Sequence, residues 1–373
     1  MELDPGKAKK VFVRAPNWLG DVIMATPAFA RIRGFFVEAE IVGGIKQGHV
    51  PILGGTDFFD RYLQTDRSRG IGAAFRGLGL LRRERFDLAI LFPNSLSSAL
   101  HAALAGVPVR FGYSNGRSLL MTHGVRARWV ARKDRKRSGP RREPIPMVDY
   151  YHYLLDAVGM PRAANKPILR VEPAEDERAR RWLARLGVDP EDRFIVLNPG
   201  ASYGSSKLWE PSRWSRLAEE LSGSSLGARH QLLLIVGPGE EPLGRKILDA
   251  AGVSLPAAID PVFPLDVLKA VLRRASLMVT TDSGPRHVAV AFDVPHVVLM
   301  GPTHQGYTGR NLEHAKVIQH EVDCGPCHLK TCPLDHRCMR LIRVEEVLEA
   351  CLGMVGSSRG GGAAGIPSMR AGP

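Results

Sequence analysis

The stretch RAPNWLGDVIMATPAFARIR, residues 14–33, predicts the fold of the first half of the chain. It starts at the end of an apolar run, turns through residues 16–20 and continues with apolar residues at helical spacing. This is the pattern of a strand that passes directly into a helix, as in a βαβ unit. One carboxylate, Asp21, stands where the helix begins. The helix dipole alone favours an acid there, but an acid in a cleft can also act as a general base.

The same alternation of short apolar runs and helical patterns continues along the chain. The runs that predict buried parallel strands are KVFVRA (10–15), AEIVGG (39–44), DLAILFPN (87–94), FIVLNPG (194–200), QLLLIVG (231–237), LMVTTD (277–282) and HVVLM (296–300). Helical spacing follows several of them, at 211–221, at 264–276 and from Pro285 onward. The fold class is therefore α/β, with two Rossmann-like domains whose parallel sheets face a central cleft.

A polar, proline-containing stretch near residues 161–175 predicts the linker between the two domains. We expect an N-terminal domain over residues 1–172 and a C-terminal domain over 173–355. The glycine-rich residues 356–373 are expected to be a disordered tail. Ligands of open α/β sheets bind at the carboxyl ends of strands, so the residues that follow strands are the candidates for a site.

The composition indicates an anionic partner. The chain of 373 residues has 51 Lys and Arg against 38 Asp and Glu, a formal net charge of +13. Nine of these cations lie within residues 126–142 beside one acid. That segment is either a solvated loop or a contact for phosphates or for an anionic membrane leaflet. No long apolar run and no signal-peptide pattern is visible, so we expect a cytoplasmic protein, peripheral on the inner leaflet of the inner membrane.

The segment NPGASYGSSKLW, residues 198–209, follows a predicted strand. It combines glycines with hydroxyl groups and the positive charge of Lys207, which is the chemistry of a phosphate-binding loop. The spacing of a Walker motif is absent. The alternative is an ordinary loop built from turn-forming residues.

The segment TTDSGPRHVAVAF, residues 280–292, also follows a strand. Ser283 or Gly284 suits the N-cap of a helix that starts at Pro285, and an open helix N-terminus attracts phosphate. Asp282 either binds sugar hydroxyls or serves the cap. His287 either reaches a bound phosphate or packs within the helix.

Four cysteines lie within CGPCHLKTCPLDHRC, residues 324–338. Four thiols at this spacing can hold zinc or an iron–sulfur cluster, but a second CxxC pair is missing, so this is not a standard zinc ribbon. Reduced structural thiols and redox-linked pairs are the alternatives. The candidate ligands are Cys324, Cys327, Cys332 and Cys338.

Together and in this order, these segments resemble the ADP-heptose:lipopolysaccharide heptosyltransferases of the ninth glycosyltransferase family, the heptosyltransferase II group above all. The resemblance lies in RAPNWLGDVIMATPA, NPGASYGSSKLWEPSRW, TDSGPRHVAVAFDVPHVVLMGPT and CGPCHLKTCPLDHRCMR, and it spans about residues 10 to 350. It implies a GT-B fold, with the acceptor in the first domain and the ADP-heptose donor mostly in the second. It also implies an inverting transfer, without a metal cofactor, onto a heptose of the lipid A–core acceptor.

The resemblance also implies roles for individual residues. Asp21 takes the position of the general base. The positions that contact the donor diphosphate are Ser202, Tyr203 and Lys207. Those that contact the donor sugar and phosphates are Asp282, Ser283, Gly284 and His287. Glu240 or Glu241 is placed to bind the ribose. Arg286 departs from the family, since an apolar residue such as Met is expected there, and we expect it to add a positive charge near the diphosphate.

Two other functions compete with this interpretation. One is a different GT-B glycosyltransferase or a nucleotide-sugar epimerase that uses another donor. The other is a basic nucleic-acid-binding protein, which the net charge would suit. The cations are spread along the chain and no nucleic-acid-binding signature is present, so we expect no nucleic-acid partner.

Overall fold

The protein is described by a computed structural model that covers residues 3–64, 71–127, 129–130, 141–162 and 164–356. These residues form two six-stranded parallel sheets, each with helices packed against it. Most of the predicted basic segment 126–142, and the tail from residue 357 onward, lie outside the described residues. Among the helices that are described, none has the length and apolar character that a membrane span requires.

The first sheet has the strand order β3-β2-β1-β4-β5-β6, all parallel. Its central strands are continuous apolar runs because helices cover both faces of the sheet. The strands are β1 (Lys10–Arg14), β2 (Glu40–Ile45), β3 (Arg61–Gln64), β4 (Leu88–Leu91), β5 (Val109–Tyr113) and β6 (His123–Val125).

A short antiparallel pair, β7 (Trp129–Val130) and β8 (Arg141–Arg142), follows the first sheet. The second sheet then repeats the strand order of the first, as β11-β10-β9-β12-β13-β14. Its strands are β9 (Phe194–Asn198), β10 (Gln231–Ile235), β11 (Ala257–Ala258), β12 (Leu277–Thr281), β13 (His296–Leu299) and β14 (Ala315–Ile318). The strand order reverses between β1 and β4 and between β9 and β12, which is where open α/β sheets bind ligands. The predicted GT-B arrangement of two Rossmann-like halves is confirmed.

Twelve α-helices occur among the described residues. They are α1 (Leu19–Met24), α2 (Thr26–Phe35), α3 (Ile71–Glu84), α4 (Leu96–Leu104), α5 (Met147–Asp156), α6 (Pro173–Arg185), α7 (Pro211–Gly223), α8 (Glu241–Ala250), α9 (Leu265–Arg274), α10 (Gly284–Ala291), α11 (Arg337–Arg340) and α12 (Val344–Gly356). α6 packs against α9 of the second half.

The helix predicted after β1 is divided into α1 and α2. Pro27 lies in the first turn of α2 and has no N–H to donate to the Ile23 carbonyl. The Thr26 hydroxyl donates to that carbonyl instead, at 2.7 Å. The same hydroxyl accepts from the Ile168 amide at 2.7 Å, which ties the break between the helices to the segment that connects the two halves.

Candidate active site

The carboxyl ends of the two sheets face each other across a cleft that contains a cavity of about 810 Å³. Both halves contribute to its walls. The sequence-predicted residues that line it are Asp21, Ser202, Tyr203, Lys207, Glu240, Asp282, Ser283, Gly284 and His287. The structure therefore brings all of these residues to one place, while their individual roles stay predictions.

The turn between β1 and α1 is held by Arg14. Its guanidinium donates to the Ala15 carbonyl at 2.6 Å and to Oδ1 of Asn17 at 2.7 Å. α1 starts after Trp18, so Asp21 lies in its first turn, half-buried on the wall of the cleft. The strand-to-helix turn thus carries the carboxylate to the carboxyl edge of the first sheet.

Glycines allow the N-termini of α1 and α10 to approach across the cleft. A Cβ at Gly20 would lie 2.9 Å from Cδ2 of His287, and a Cβ at Gly284 would lie 3.1 Å from Cδ2 of Leu19. Both distances are shorter than ordinary van der Waals contact. Side chains at either position would push the two helices apart, and with them the two halves of the site.

Lys207 is buried and paired. Its Nζ donates to Oδ2 of Asp282 at 2.8 Å and to the Asp282 carbonyl at 2.7 Å, and it lies 5.0 Å from the ring centroid of Tyr203. The Thr303 hydroxyl also donates to Oδ2 of Asp282, at 2.8 Å. Burial acts to raise the pKa of Asp282, but the charges of Lys207 and Arg286 outweigh it and hold that pKa well below its usual range. Asp282 is therefore an anion whose oxygens are already engaged by the protein.

Arg286 occupies a different place from the one we expected. Its side chain is fully buried and does not line the cavity. Nη1 donates to Oδ1 of Asp282 at 3.0 Å and to the Thr308 hydroxyl at 3.0 Å. The expected positive charge is present, but it acts on the site through Asp282 and Thr308 rather than by facing a ligand.

His287 is buried in the first turn of α10 and lines the cavity. Burial, followed by the charge of Arg286, lowers its pKa to about 3. The imidazole is therefore neutral near pH 7. It can exchange hydrogen bonds with a ligand but adds no charge to the site.

The N-terminus of α10 is open to an anion. Ser283 is the N-cap, but its hydroxyl accepts from Nδ2 of Asn198 at 3.0 Å and makes no capping bond to the helix. The backbone N–H groups of the first turn, together with the helix dipole, therefore remain available to a negatively charged group.

Glu240 lies beneath the loop that follows β9. Its Oε2 accepts from the Gly237 amide at 2.8 Å, and a Cβ at Gly200 would lie 1.8 Å from that oxygen, so a side chain there would displace the Glu240 carboxylate. Burial raises the pKa of Glu240, although hydrogen bonds from the Gly237 and Ala201 amides act against it. Glu241, the alternative proposed from the sequence, does not line the cavity.

Several residues of the cavity were missed by the sequence analysis. The loop after β13 contributes Thr303, His304, Tyr307 and Thr308, and the cysteine segment contributes His328. The signal for the first group was present, because the loop directly follows the strand predicted at 296–300. The position of His328 depends on chain packing that no local pattern reveals.

The four cysteines of segment 324–338 lie near one another. Burial, followed by the neighbouring thiols of Cys327, Cys324 and Cys332, raises the pKa of Cys338. Yet no three Cys, His, Asp or Glu side chains of the described residues are arranged as ligands of one metal ion. The thiols as placed do not converge on a common point, and zinc at this segment stays a prediction.

Comparison with known proteins agrees with this geometry. The family description "Glycosyltransferase family 9 (heptosyltransferase)" matches residues 78–337, well over half of the chain. This chain belongs to glycosyltransferase family 9. Family members of known function similar to it include lipopolysaccharide heptosyltransferase 2 of Escherichia coli K12, which is 27% identical over 83% of this chain and 88% of its own length. Lipooligosaccharide heptosyltransferase 2 of Campylobacter jejuni is 24% identical over 94% of this chain and 99% of its own.

Solved structures of the family show the same fold. The family 9 glycosyltransferase of Veillonella parvula has a TM-score of 0.77 at 22% identity, covering 96% of this chain and 99% of that one. ADP-heptose heptosyltransferase II of E. coli has a TM-score of 0.72 at 24% identity, covering 94% and 99%. The glycosyltransferase TibC of enterotoxigenic E. coli, described as iron-containing, is more distant, with a TM-score of 0.54 at 14% identity, covering 96% and 78%.

Proposed function

We propose that this chain transfers L-glycero-D-manno-heptose from ADP-heptose onto the heptose of the lipopolysaccharide inner core. One observation carries the proposal: Asp21 of the first domain faces the same cavity as Lys207 and the N-terminus of α10 of the second domain. The lipooligosaccharide and lipopolysaccharide heptosyltransferases that match 83–94% of the chain support this acceptor class, and the similar structure of ADP-heptose heptosyltransferase II supports the donor.

On the acceptor side we assign Asp21 as the general base. A hydroxyl is a weak nucleophile until its proton is removed in the transition state. Asp21 would accept that proton while the oxygen attacks the anomeric carbon from the face opposite the diphosphate. The sugar–phosphate bond breaks as the new glycosidic bond forms, so the configuration at that carbon inverts.

On the donor side, Lys207 and the N-terminus of α10 would bind the diphosphate. Negative charge builds up on ADP as it leaves, and preorganised positive groups stabilise that charge. Asp282 is the single carboxylate paired with both Lys207 and Arg286, so this buried trio carries one net positive charge. Asp282 would act by fixing Lys207 rather than by binding the sugar with a free oxygen.

The remaining donor contacts follow from their positions in the cavity. Ser202 and Tyr203 lie on the loop after β9 and would contact the phosphates. His287 would contact the donor as a neutral hydrogen-bonding group. Glu240 would bind the ribose through its carboxylate, which lines the cavity.

We further propose that the transfer needs no metal ion. Support comes from the charge of Lys207 and the dipole of α10, which together supply the positive potential that a leaving diphosphate requires. Unchanged turnover in the presence of EDTA is the expected result, and loss of turnover that added metal restores would contradict it.

We also propose a peripheral contact with an anionic membrane leaflet, supported by the net charge of +13.

The donor is tested by a panel of nucleotide sugars with a lipid A–core acceptor truncated to a single heptose, read by mass spectrometry. We expect product with ADP-heptose only. Turnover with a UDP-sugar and none with ADP-heptose would contradict the proposal and favour another GT-B transferase or an epimerase. RNA binding that persists at high salt, with no turnover of any nucleotide sugar, would favour the nucleic-acid-binding alternative.

A further inference from the structure

Trp18 forms an exposed aromatic surface at the mouth of the cleft. Its side chain is 45% exposed, although a large apolar ring is usually buried. Its ring centroid lies 6.4 Å from that of Tyr203, on the other side of the cleft. An exposed indole offers a flat apolar face with a polar edge, which suits a partly polar ligand such as a sugar ring.

Two lysines from opposite halves of the protein flank this ring. Nζ of Lys46 lies 5.8 Å and Nζ of Lys330 lies 5.7 Å from the Trp18 ring centroid. Neither ammonium group forms an ion pair with any residue that the structure describes. Two cations without carboxylate partners repel each other, so an anion that binds between or beside them would be favoured.

The backbones that carry both lysines are held in place. Lys46 comes directly after β2 at the carboxyl edge of the first sheet. The Lys330 carbonyl accepts from the Ser206 amide at 3.0 Å, and a Cβ at Gly204 would lie 2.3 Å from that carbonyl oxygen. The cysteine segment is thus seated tightly on the loop after β9, and Lys330 projects from it toward Trp18. A preorganised pair of cations loses less entropy when it binds an anion.

The position of Trp18 places this surface beside the proposed base. The Trp18 carbonyl accepts from the Val22 amide at 2.9 Å, so Trp18 begins the helical turn that carries Asp21. Residues three apart on a helix lie on the same side. A sugar that stacks on Trp18 would therefore lie close to the Asp21 carboxylate, on the acceptor side of the cavity.

We propose that Trp18, Lys46 and Lys330 form a subsite for an anionic group, a phosphate or a carboxylate, carried by the saccharide acceptor. The inference rests on the proposed function, because it assumes that a saccharide accepts the transferred sugar. It adds a requirement: the acceptor is recognised by its charge as well as by its hydroxyl. It also gives the cysteine segment a role, since that segment places Lys330 at the acceptor.

The test compares three synthetic heptoside acceptors that differ only in one substituent: a phosphate monoester, a carboxylate, or none. Lys46→Gln and Lys330→Gln are each expected to raise the KM for a charged acceptor about threefold, and together about tenfold. The KM of the uncharged acceptor and the ADP affinity should stay unchanged. Of the two charged acceptors, the one whose KM rises more in the lysine variants shows whether phosphate or carboxylate is the group that is bound. Lys246→Gln, on the exposed face of α8, is the control.

Two results would overturn the subsite. Equal effects on the KM of charged and uncharged acceptors would show that the lysines do not recognise the charge of the acceptor. Weaker ADP binding in either variant would assign the lysines to the donor site. Absence of turnover by the wild-type enzyme would count against the proposed function instead. In that event, calorimetric binding of the phosphorylated heptoside to the ADP complex still tests the subsite, and we expect both lysine variants to weaken it.

Discussion

At the scale of single residues, the most informative group is the buried trio of Lys207, Asp282 and Arg286. One carboxylate holds two cations, and of the two cations Lys207 lines the cavity whereas Arg286 does not. Arg286 lies in the first turn of α10 and is fully buried. At an effective dielectric constant of about 20, a charge roughly 8 Å away still contributes about 2 kcal/mol. Arg286 can therefore favour an anionic ligand that it never touches.

We expect Arg286→Met to weaken ADP binding by about thirtyfold, the equivalent of about 2 kcal/mol, since it replaces the charged side chain with an apolar one of similar length. Arg286→Lys keeps the charge but shortens the reach to Thr308, and should retain most of the affinity. Calorimetric titration with ADP at low and moderate salt measures both. Wild-type affinity in the Met variant would show that the buried charge does not reach the donor.

At the scale of helices and strands, the sequence predicted the central strands and the helices that bear the site, because these are long apolar runs or strongly periodic segments. It missed the edge strands β3, β6, β11 and β14 and the pair β7 and β8, which are short, so their patterns resemble loops. It also missed β5, an interior strand of the first sheet, because Arg110 and Gly112 interrupt its apolar run. The division between α1 and α2 was also missed, although Pro27 marks it. Contacts such as Arg286 with Thr308 join residues far apart along the chain, and local patterns do not report them.

A cluster of ion pairs joins α6 to α9, and its contribution to stability can be tested. Asp176 accepts from Nη2 of Arg274 at 2.7 Å and from Nη2 of Arg273 at 3.0 Å. The Arg274 hydrogen bond is the main reason that the pKa of Asp176 is lowered to about 2, although burial acts against it. Because the folded-state pKa is below the unfolded value, this stabilisation is present above about pH 4 and is lost as the pH falls toward 2.

We expect Asp176→Asn to lower the free energy of unfolding by about 1–2 kcal/mol at pH 7, and the difference from wild type to shrink between pH 4 and pH 2. Urea unfolding at a series of pH values measures this. Asp249→Asn, at an exposed position of α8, is the matched control and should change little. A difference that stays constant down to pH 2 would mean that the carboxylate charge is not what joins the two helices.

At the scale of the whole molecule, one buried and one partly exposed polar contact join the two halves. Lys269 of α9 is fully buried, with Nζ 3.0 Å from Oε1 of Glu175 and 2.8 Å from the Gly54 carbonyl of the first half. Arg310 pairs with Asp149 of α5 at 2.8 Å. These contacts, with the close approach of α1 and α10, place Asp21 on the same cavity as Lys207 and the N-terminus of α10. In the proposed reaction the first half activates the acceptor, and the second half holds the donor.

The most direct test of this division is the single-turnover rate of heptose transfer from ADP-heptose, measured together with ADP affinity, in the wild type and in Asp21→Asn. The substitution keeps the shape of the side chain and removes its basicity. Positioned base catalysis contributes roughly 10²–10⁴-fold, so the rate should fall by about that factor. ADP affinity should stay within about twofold, because the donor is held by the second half. Near-normal turnover by well-folded Asp21→Asn protein would contradict the account, and the base would then have to be another residue of the first half.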